Sequence, residues 1–206
     1  MSKPKLVLIG NGMAGVRTLE ELFKIDQDKY AVTVFGSEPY PNYNRILLSP
    51  VLAGEQTIPD IILNDEAWYA EHNITLHMNK TIVRIDRKKQ IVYADDGTEA
   101  HYDRLLMATG SSPFILPVAG KDLEGVISYR DIRDTNIMIE TAKTHKHAVV
   151  IGGGLLGLEA ANGLRLRGME VTVVHLNSWL MERQLDETAA KLLQAELESR
   201  GLQFRL

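Results

Sequence analysis

The stretch Leu6-Val7-Leu8-Ile9-Gly10-Asn11-Gly12-Met13-Ala14-Gly15 decides the reading of this chain: four consecutive aliphatic residues run into three glycines spaced G-x-G-x-x-G. A short aliphatic run bounded by a glycine turn reads as a strand buried on both faces of a parallel sheet. Downstream, Val16, Leu19, Leu22 and Phe23 recur at helical spacing, while Arg17, Glu20, Glu21 and Lys24 fill the opposite face. Residues 31–35 supply a second aliphatic strand and complete a βαβ unit. The pattern then returns: an aliphatic run at 148–151, Gly152-Gly153-Gly154 with Gly157, a helical segment over 155–167 and a strand over 171–174. The fold class is therefore α/β, with two copies of one unit.

In the first copy each glycine has a task. Gly10 permits the tight turn, Gly12 lets backbone approach a diphosphate, and Gly15 lets helix pack on strand. The N–H groups that open the helix, at Met13 and Ala14, would face the diphosphate, where the helix dipole adds about 0.3–1 kcal/mol. Gly152, Gly154, Leu155, Leu156 and Gly157 repeat the arrangement. Two such Rossmann-like units imply two dinucleotides. An acidic residue after the second strand of such a unit accepts the adenosine ribose hydroxyls. Glu38 is the candidate in the first copy, the other reading being a solvent-facing turn carboxylate. The second copy has His175 there instead, either tolerant of a ribose phosphate or an ordinary surface histidine.

Between the copies, residues 36–64 carry Pro39, Pro41, Pro50 and Pro59 with little regular pattern, the composition of a loop that embraces a ligand. A short helix is expected at 65–72. Alternating runs at 75–78, 81–85 and 90–94 predict a small antiparallel β-meander inserted in the first unit, with Arg87-Lys88-Lys89 as a solvated hairpin turn. A buried strand at 105–108 ends in Thr109-Gly110, and 111–125 has linker composition. Helices are expected at 131–144 and at 186–200, the latter with Leu192, Leu193 and Leu197 inward, before a final strand opens at 202–206. This leaves the second unit incomplete, so the chain is expected to be a fragment of a longer polypeptide, with domains at 1–112 and 113–206. Trp68 and Tyr69 read as core anchors, and Trp179 as packing an edge of the second unit.

Composition narrows the function classes. The net charge of −4 comes from interspersed charges, so neither nucleic acid nor a membrane surface is an expected partner. Cysteine is absent from the 206 residues, which removes disulfides, iron–sulfur ligation and a dithiol relay. Any redox chemistry must then be carried by a bound cofactor. His145-Lys146-His147 lacks further ligands, and no metal site is expected. The apolar run at 6–9 is too short for a secretory signal and that at 148–158 too short for a bilayer span, giving a cytoplasmic reading.

The paired glycine motifs, Ala108-Thr109-Gly110 after a buried strand, and Tyr43-Asn44-Arg45 followed by Leu48-Ser49 resemble the two-dinucleotide flavoprotein reductases. That family includes ferredoxin and rubredoxin reductases, apoptosis-inducing factor and the large subunit of NAD(P)H-dependent nitrite reductase, and the resemblance covers essentially the whole chain. It implies one FAD and one NAD(P)H, with hydride passing from nicotinamide to flavin. It further implies that Ala108, Thr109 and Gly110 lie against FAD, that Arg45 holds its phosphate with Ser49 in the same cofactor set, and that backbone near Ile82 meets the adenine. Residues 43–54, 152–161 and 180–186 are most similar to the nitrite reductase large subunit. There, reduced FAD would feed iron–sulfur and sirohaem centres in a remainder outside this sequence. Related reductases have a lysine where this chain has Pro50, paired with a glutamate matching Glu159. Without that lysine, Glu159 is a candidate either for orienting nicotinamide or for helix capping and packing. A stand-alone reductase for a small electron carrier and a nucleotide-binding module without turnover are the alternatives, and an exposed sheet edge would allow a homo-oligomer.

Overall fold

The structure is a computed structural model describing residues 3–206; Met1 and Ser2 lie outside the described residues. In chain order the first elements are β1 (Lys5–Ile9), α1 (Met13–Asp26), β2 (Ala31–Phe35), β3 (Asn42–Tyr43), α2 (Leu48–Ala53), β4 (Ile62–Asn64) and α3 (Glu66–Glu71). Five strands follow: β5 (Thr75–His77), β6 (Ile82–Asp86), β7 (Ile91–Ala94), β8 (Glu99–His101) and β9 (Arg104–Met107). The remainder is α4 (Ile132–Thr144), β10 (His147–Ile151), α5 (Leu155–Leu166), β11 (Glu170–Val174), α6 (Glu187–Ser199) and β12 (Gln203–Arg205). The chain divides into two compact units, one running to Asn44 and resuming over Ile62–Ser112, the other comprising Arg45–Ile61 and Pro113–Leu206.

In the first unit the aliphatic run is central. Its sheet has the order β5-β2-β1-β9, every pairing parallel. Because strand side chains alternate, Leu6 and Leu8 fall on one face with Val32 and Val34 and meet Val16 and Leu19 of α1. Val7, Ile9 and Phe35 fall on the other face and meet Val92 and Ala94 of β7. A continuous apolar run is thus required, since both faces are covered.

The antiparallel meander is β6-β7-β8. Of residues 75–78, expected in it, Thr75–His77 instead form the parallel edge strand β5, paired with Thr33, Val34 and Phe35 of β2. Alternation identifies a strand but not its neighbour, and α3 returns this one to the sheet edge. The 36–64 stretch is also more regular than its prolines indicate. It contains β3 and β4, which pair antiparallel, and the helix α2 between them.

In the second unit, parallel strands lie in the order β10-β11-β12. Their core joins Val171 and Val173 to Leu158, Ala161 and Leu164 of α5, Met138 of α4, and Leu52 of α2. Arg45–Ile61, counted in the first domain from sequence, packs here because Gly163 has no side chain: a Cβ there would stand 2.7 Å from Leu52 Cγ. On α6 the inward stripe is Ala190, Leu193 and Leu197. Leu192 is 71% exposed, a correction that follows from its position about 100° around the helix from its neighbour Leu193. Among the described residues no helix is long and apolar enough to cross a membrane.

Candidate functional site

Both glycine turns sit at the carboxyl end of a parallel strand and open a helix. In the first unit, Gly10 N–H donates to Phe35 O at 2.8 Å, and its φ of +108° together with Ala108 O, 2.1 Å from where a Cβ would lie, admits only glycine. A Cβ on Gly15 would meet Gly10 O at 2.6 Å and Ala108 Cβ at 3.1 Å. Gly12 differs in kind. It is the N-cap of α1 with φ −94° and ψ 176°, conformable to any residue, yet nothing lies within 4 Å of its Cβ direction. The glycine there keeps a space open beside N–H groups that the helix cannot satisfy itself.

The second unit repeats this. Gly152 has φ +122°, its N–H donating to Val174 O at 2.8 Å. A Cβ on Gly157 would stand 2.0 Å from Gly152 O, while Gly154, the N-cap of α5, again faces open space. Leu155 and Leu156 follow, 55% and 57% exposed, an apolar lip on the first turn of α5. Both turns therefore fit a diphosphate: a first glycine at positive φ, a last glycine pressed against the first one's carbonyl oxygen, and open space at the N-cap glycine between them.

The middle position of each turn reveals an exchange that the spacing alone conceals. In the first, Asn11 packs over Gly36, the residue after β2, whose Cβ would lie 2.8 Å from Asn11 Cβ. In the second, the middle residue is Gly153 and the residue after β11 is His175, whose ring would lie 2.9 Å from a Cβ on Gly153. The side chain filling this gap comes from the turn in one unit and from the strand exit in the other. His175 is therefore no ordinary surface residue. Its side chain is 9% exposed, Nδ1 accepts the Gly153 N–H at 3.0 Å, and Nε2 lies 3.0 Å from Glu182 Oε2.

Asn11 is itself anchored. Tyr69 Oη donates to Asn11 Oδ1 at 2.7 Å, and Asn11 Nδ2 is buried without a partner in the protein. Burial pushes the Tyr69 hydroxyl up to about 12, against the opposing pull of hydrogen bonds with Asn42 and Asn11. Because folding raises this value above that of the unfolded chain, the stability tied to the neutral phenol is intact below about pH 10 and lost as pH rises towards about 12. Denaturation midpoints measured across this window should decline in the wild type and decline less in Tyr69→Phe.

Ala108, Thr109 and Gly110 follow β9 directly beside the first turn, with Ala108 N–H donating to Ile9 O at 2.8 Å and Gly110 at φ +74°. Glu38 lies just beyond β2 and accepts from Tyr43 Oη at 2.7 Å. Ile82 begins β6 and packs its side chain on the Val7, Ile9 and Phe35 cluster. These residues belong to the first unit. Arg45, Ser49 and Glu159 belong to the second.

There, Ser49 Oγ donates to Glu159 Oε2 at 2.6 Å, and Tyr129 Oη donates to Ser49 Oγ at 3.2 Å. The Glu159 carboxylate heads a chain of two hydroxyls. Arg167 fixes the helix that supplies Ser49, donating from Nε to Leu52 O at 2.7 Å and from Nη2 to Val51 O at 2.9 Å, which satisfies carbonyls at the end of α2. Arg45 Nη1 donates to Arg130 O at 2.7 Å. Tyr129, Arg167 and Glu182 carry no motif spacing of their own, so sequence reasoning passed over them. Among the described residues no group of three or more histidine or acidic side chains could hold a metal ion.

Residues 4–206 match the profile of the pyridine nucleotide-disulphide oxidoreductases. The chain belongs to this family. Since it has no cysteine, no dithiol step can reside on these pyridine nucleotide-disulphide oxidoreductase residues. The chain is 55% identical over its full length to a nitrite reductase [NAD(P)H] of Bacillus subtilis (strain 168), covering 26% of that protein. It is 51% identical, again over its full length, to the assimilatory nitrate reductase electron transfer subunit of the same organism, covering 27%. It therefore spans about a quarter of the length of these relatives. Among solved structures, a ferredoxin reductase from Rhodopseudomonas palustris superposes with a TM-score of 0.88 at 27% identity, over 98% of this chain and 50% of the other. The expected α/β fold with parallel sheets agrees with these matches.

Proposed function

We propose that the first glycine turn holds FAD and the second NAD(P)H, and that the chain is the electron-input module of a nitrite reductase large subunit. The open space beyond Gly12 and Gly154, in two turns whose first glycine has a positive φ and whose last glycine is pressed against the first one's carbonyl oxygen, is the observation that carries this reading. With both cofactors bound, the nicotinamide supplies a hydride and the flavin accepts it. The protein's part is to grip and orient. The N–H groups of Met13 and Ala14 bind one diphosphate, with Gly10 and Gly15 shaping the turn, and Glu38 accepts from the ribose next to it. Ala108, Thr109 and Gly110 offer backbone to the same cofactor, and Ile82 offers backbone to its adenine.

In the second unit, Gly152, Gly154 and Gly157 shape the other diphosphate site and the N–H groups of Leu155 and Leu156 fill it. Glu159, one turn further along α5 from that apolar lip, accepts from the nicotinamide carboxamide. Ser49 and Tyr129 hold its carboxylate in place, a role that elsewhere would fall to a charged partner. Arg45 and Ser49 are assigned to the flavin side by the resemblance. No side chain of this chain has to gain or lose a proton during transfer. Nitrite reduction, with its iron–sulfur and sirohaem centres, belongs in this reading to the rest of the longer protein, which also supplies the partner that takes the electrons.

An anaerobic visible spectrum tests this. The protein should acquire a flavin band from added FAD, and NADH or NADPH should bleach it. Glu159→Ala should keep the band yet slow bleaching by about 10-fold to 150-fold, the worth of one hydrogen bond to a charged group. Failure to take up FAD, or a band that neither nucleotide bleaches, would refute the proposal.

A further inference from the structure

The second unit has no carboxylate directly after β11, where a dinucleotide turn ordinarily receives the adenosine ribose. Its structure delivers one by another route. Gly153 is bound on both sides by the segment after β11: its N–H donates to His175 Nδ1 at 3.0 Å, and its carbonyl accepts Met181 N–H at 3.0 Å. Leu180 packs on the same residue, 2.6 Å from where a Cβ would lie. Met181 takes a left-handed φ of +56° and its carbonyl receives the N–H groups of Gln184 and Leu185. The turn carrying Glu182 is thereby strapped to the phosphate-binding backbone instead of hanging as a free surface loop.

The imidazole sets the polarity of this strap. With Nδ1 accepting from Gly153, the ring proton resides on Nε2 and is directed at Glu182 Oε2, 3.0 Å away. Glu182 remains 28% exposed, so its other lone pairs can reach a ligand. Its carboxyl is held below the usual range by its own backbone N–H, with the side chains of His175 and Asn177 adding to the effect, and it is ionised at neutral pH.

We propose that Glu182, positioned by His175, is the acceptor for the adenosine ribose hydroxyls at the second glycine turn and makes the site select NADH over NADPH. This rests on the reading that the second turn holds a nicotinamide dinucleotide. A 2′-hydroxyl donates to a carboxylate, whereas a 2′-phosphate meets like charge and finds no donor on it. His175 is a positioning residue: it supplies the hydrogen bond that aims Glu182 and leaves no nitrogen for the ligand. The cation that would serve a phosphate instead is Arg183, the next residue, which is exposed.

Calorimetric titration of the purified chain with NADH and NADPH separates the outcomes. The wild type should bind NADH at least 10-fold more tightly. Glu182→Gln keeps an acceptor for the His175 N–H and should fold normally, yet bring the two affinities within about 3-fold. Glu182→Arg should reverse the preference. His175→Ala should lower the preference alone but change it no further in a Glu182→Gln background, a non-additivity that general loosening of the turn would not produce. A preference unchanged in Glu182→Gln overturns the proposal, as does loss of NADPH binding in Arg183→Ala from a wild type that favours NADPH. If the wild type binds neither nucleotide, the assignment of the second turn fails and this inference with it.

Discussion

Gly12→Val should give a folded protein that no longer retains flavin. The reasoning separates stability from binding. At φ −94° the backbone accepts a β-branched residue, and no protein atom lies within 4 Å of the new Cβ, so circular dichroism and the melting temperature should stay close to wild type. The valine methyls would occupy the space proposed for a diphosphate and deny it the helix N–H groups. Hydrogen bonds to charged groups contribute about 1.5–3 kcal/mol each, so losing two weakens binding by about 150-fold to 20,000-fold. Gly154→Val should do the same to nicotinamide nucleotide binding while leaving flavin uptake intact. Equilibrium titration of each variant with FAD and with NADH gives a two-by-two pattern. Equal loss of both ligands in either variant would count against two separate sites.

Gly157→Ala should have the opposite character, breaking the fold of the second unit before its chemistry. A Cβ there would stand 2.0 Å from the Gly152 carbonyl oxygen, backbone against backbone, with no flexible side chain to yield. Relief requires α5 to lift from the strand end, disturbing its contacts with Val171, Val173 and Leu52. Overpacking of this kind costs about 1–3 kcal/mol and more where backbone must move, so a loss of about 3 kcal/mol or a fall in Tm of roughly 6–12 °C is expected. Gly154→Ala, three residues earlier and facing open space, should cost less than about 1 kcal/mol. Similar melting temperatures for the two variants would remove the distinction drawn between closed and open glycines.

The contrast separates what a glycine motif encodes locally from what the fold adds. Spacing located the turns, the strands before them and the helices after them, because period and punctuation are local properties of the chain. Neighbours were not local. Residues 75–78 alternate like a meander strand, but their partner is β2, chosen by the path of α3 and invisible to a period count. The helix α2 lay hidden among prolines because Pro50 falls early in it, where a missing N–H costs nothing. Glu159 was a candidate from the resemblance, whereas the segments that bring Ser49 and Tyr129 to its carboxylate lie far from it in sequence. His175 looked like a substitution for an acid, and only the bonds on both ring nitrogens reveal that it carries one.

The segment Arg45–Ile61 lies inside the sequence of the first unit yet builds the second. Backbone consequently passes from one unit to the other three times, after Asn44, after Ile61 and after Ser112. A cut at Ser112 cannot yield two independent halves. The downstream piece would lose the helix seated against Gly163 and leave Glu159 without its serine, and the upstream piece would carry that helix with nothing to fold upon. Anyone wishing to study the second unit alone would have to transplant those seventeen residues by circular permutation or by a short bridge from Asn44 to Ile62.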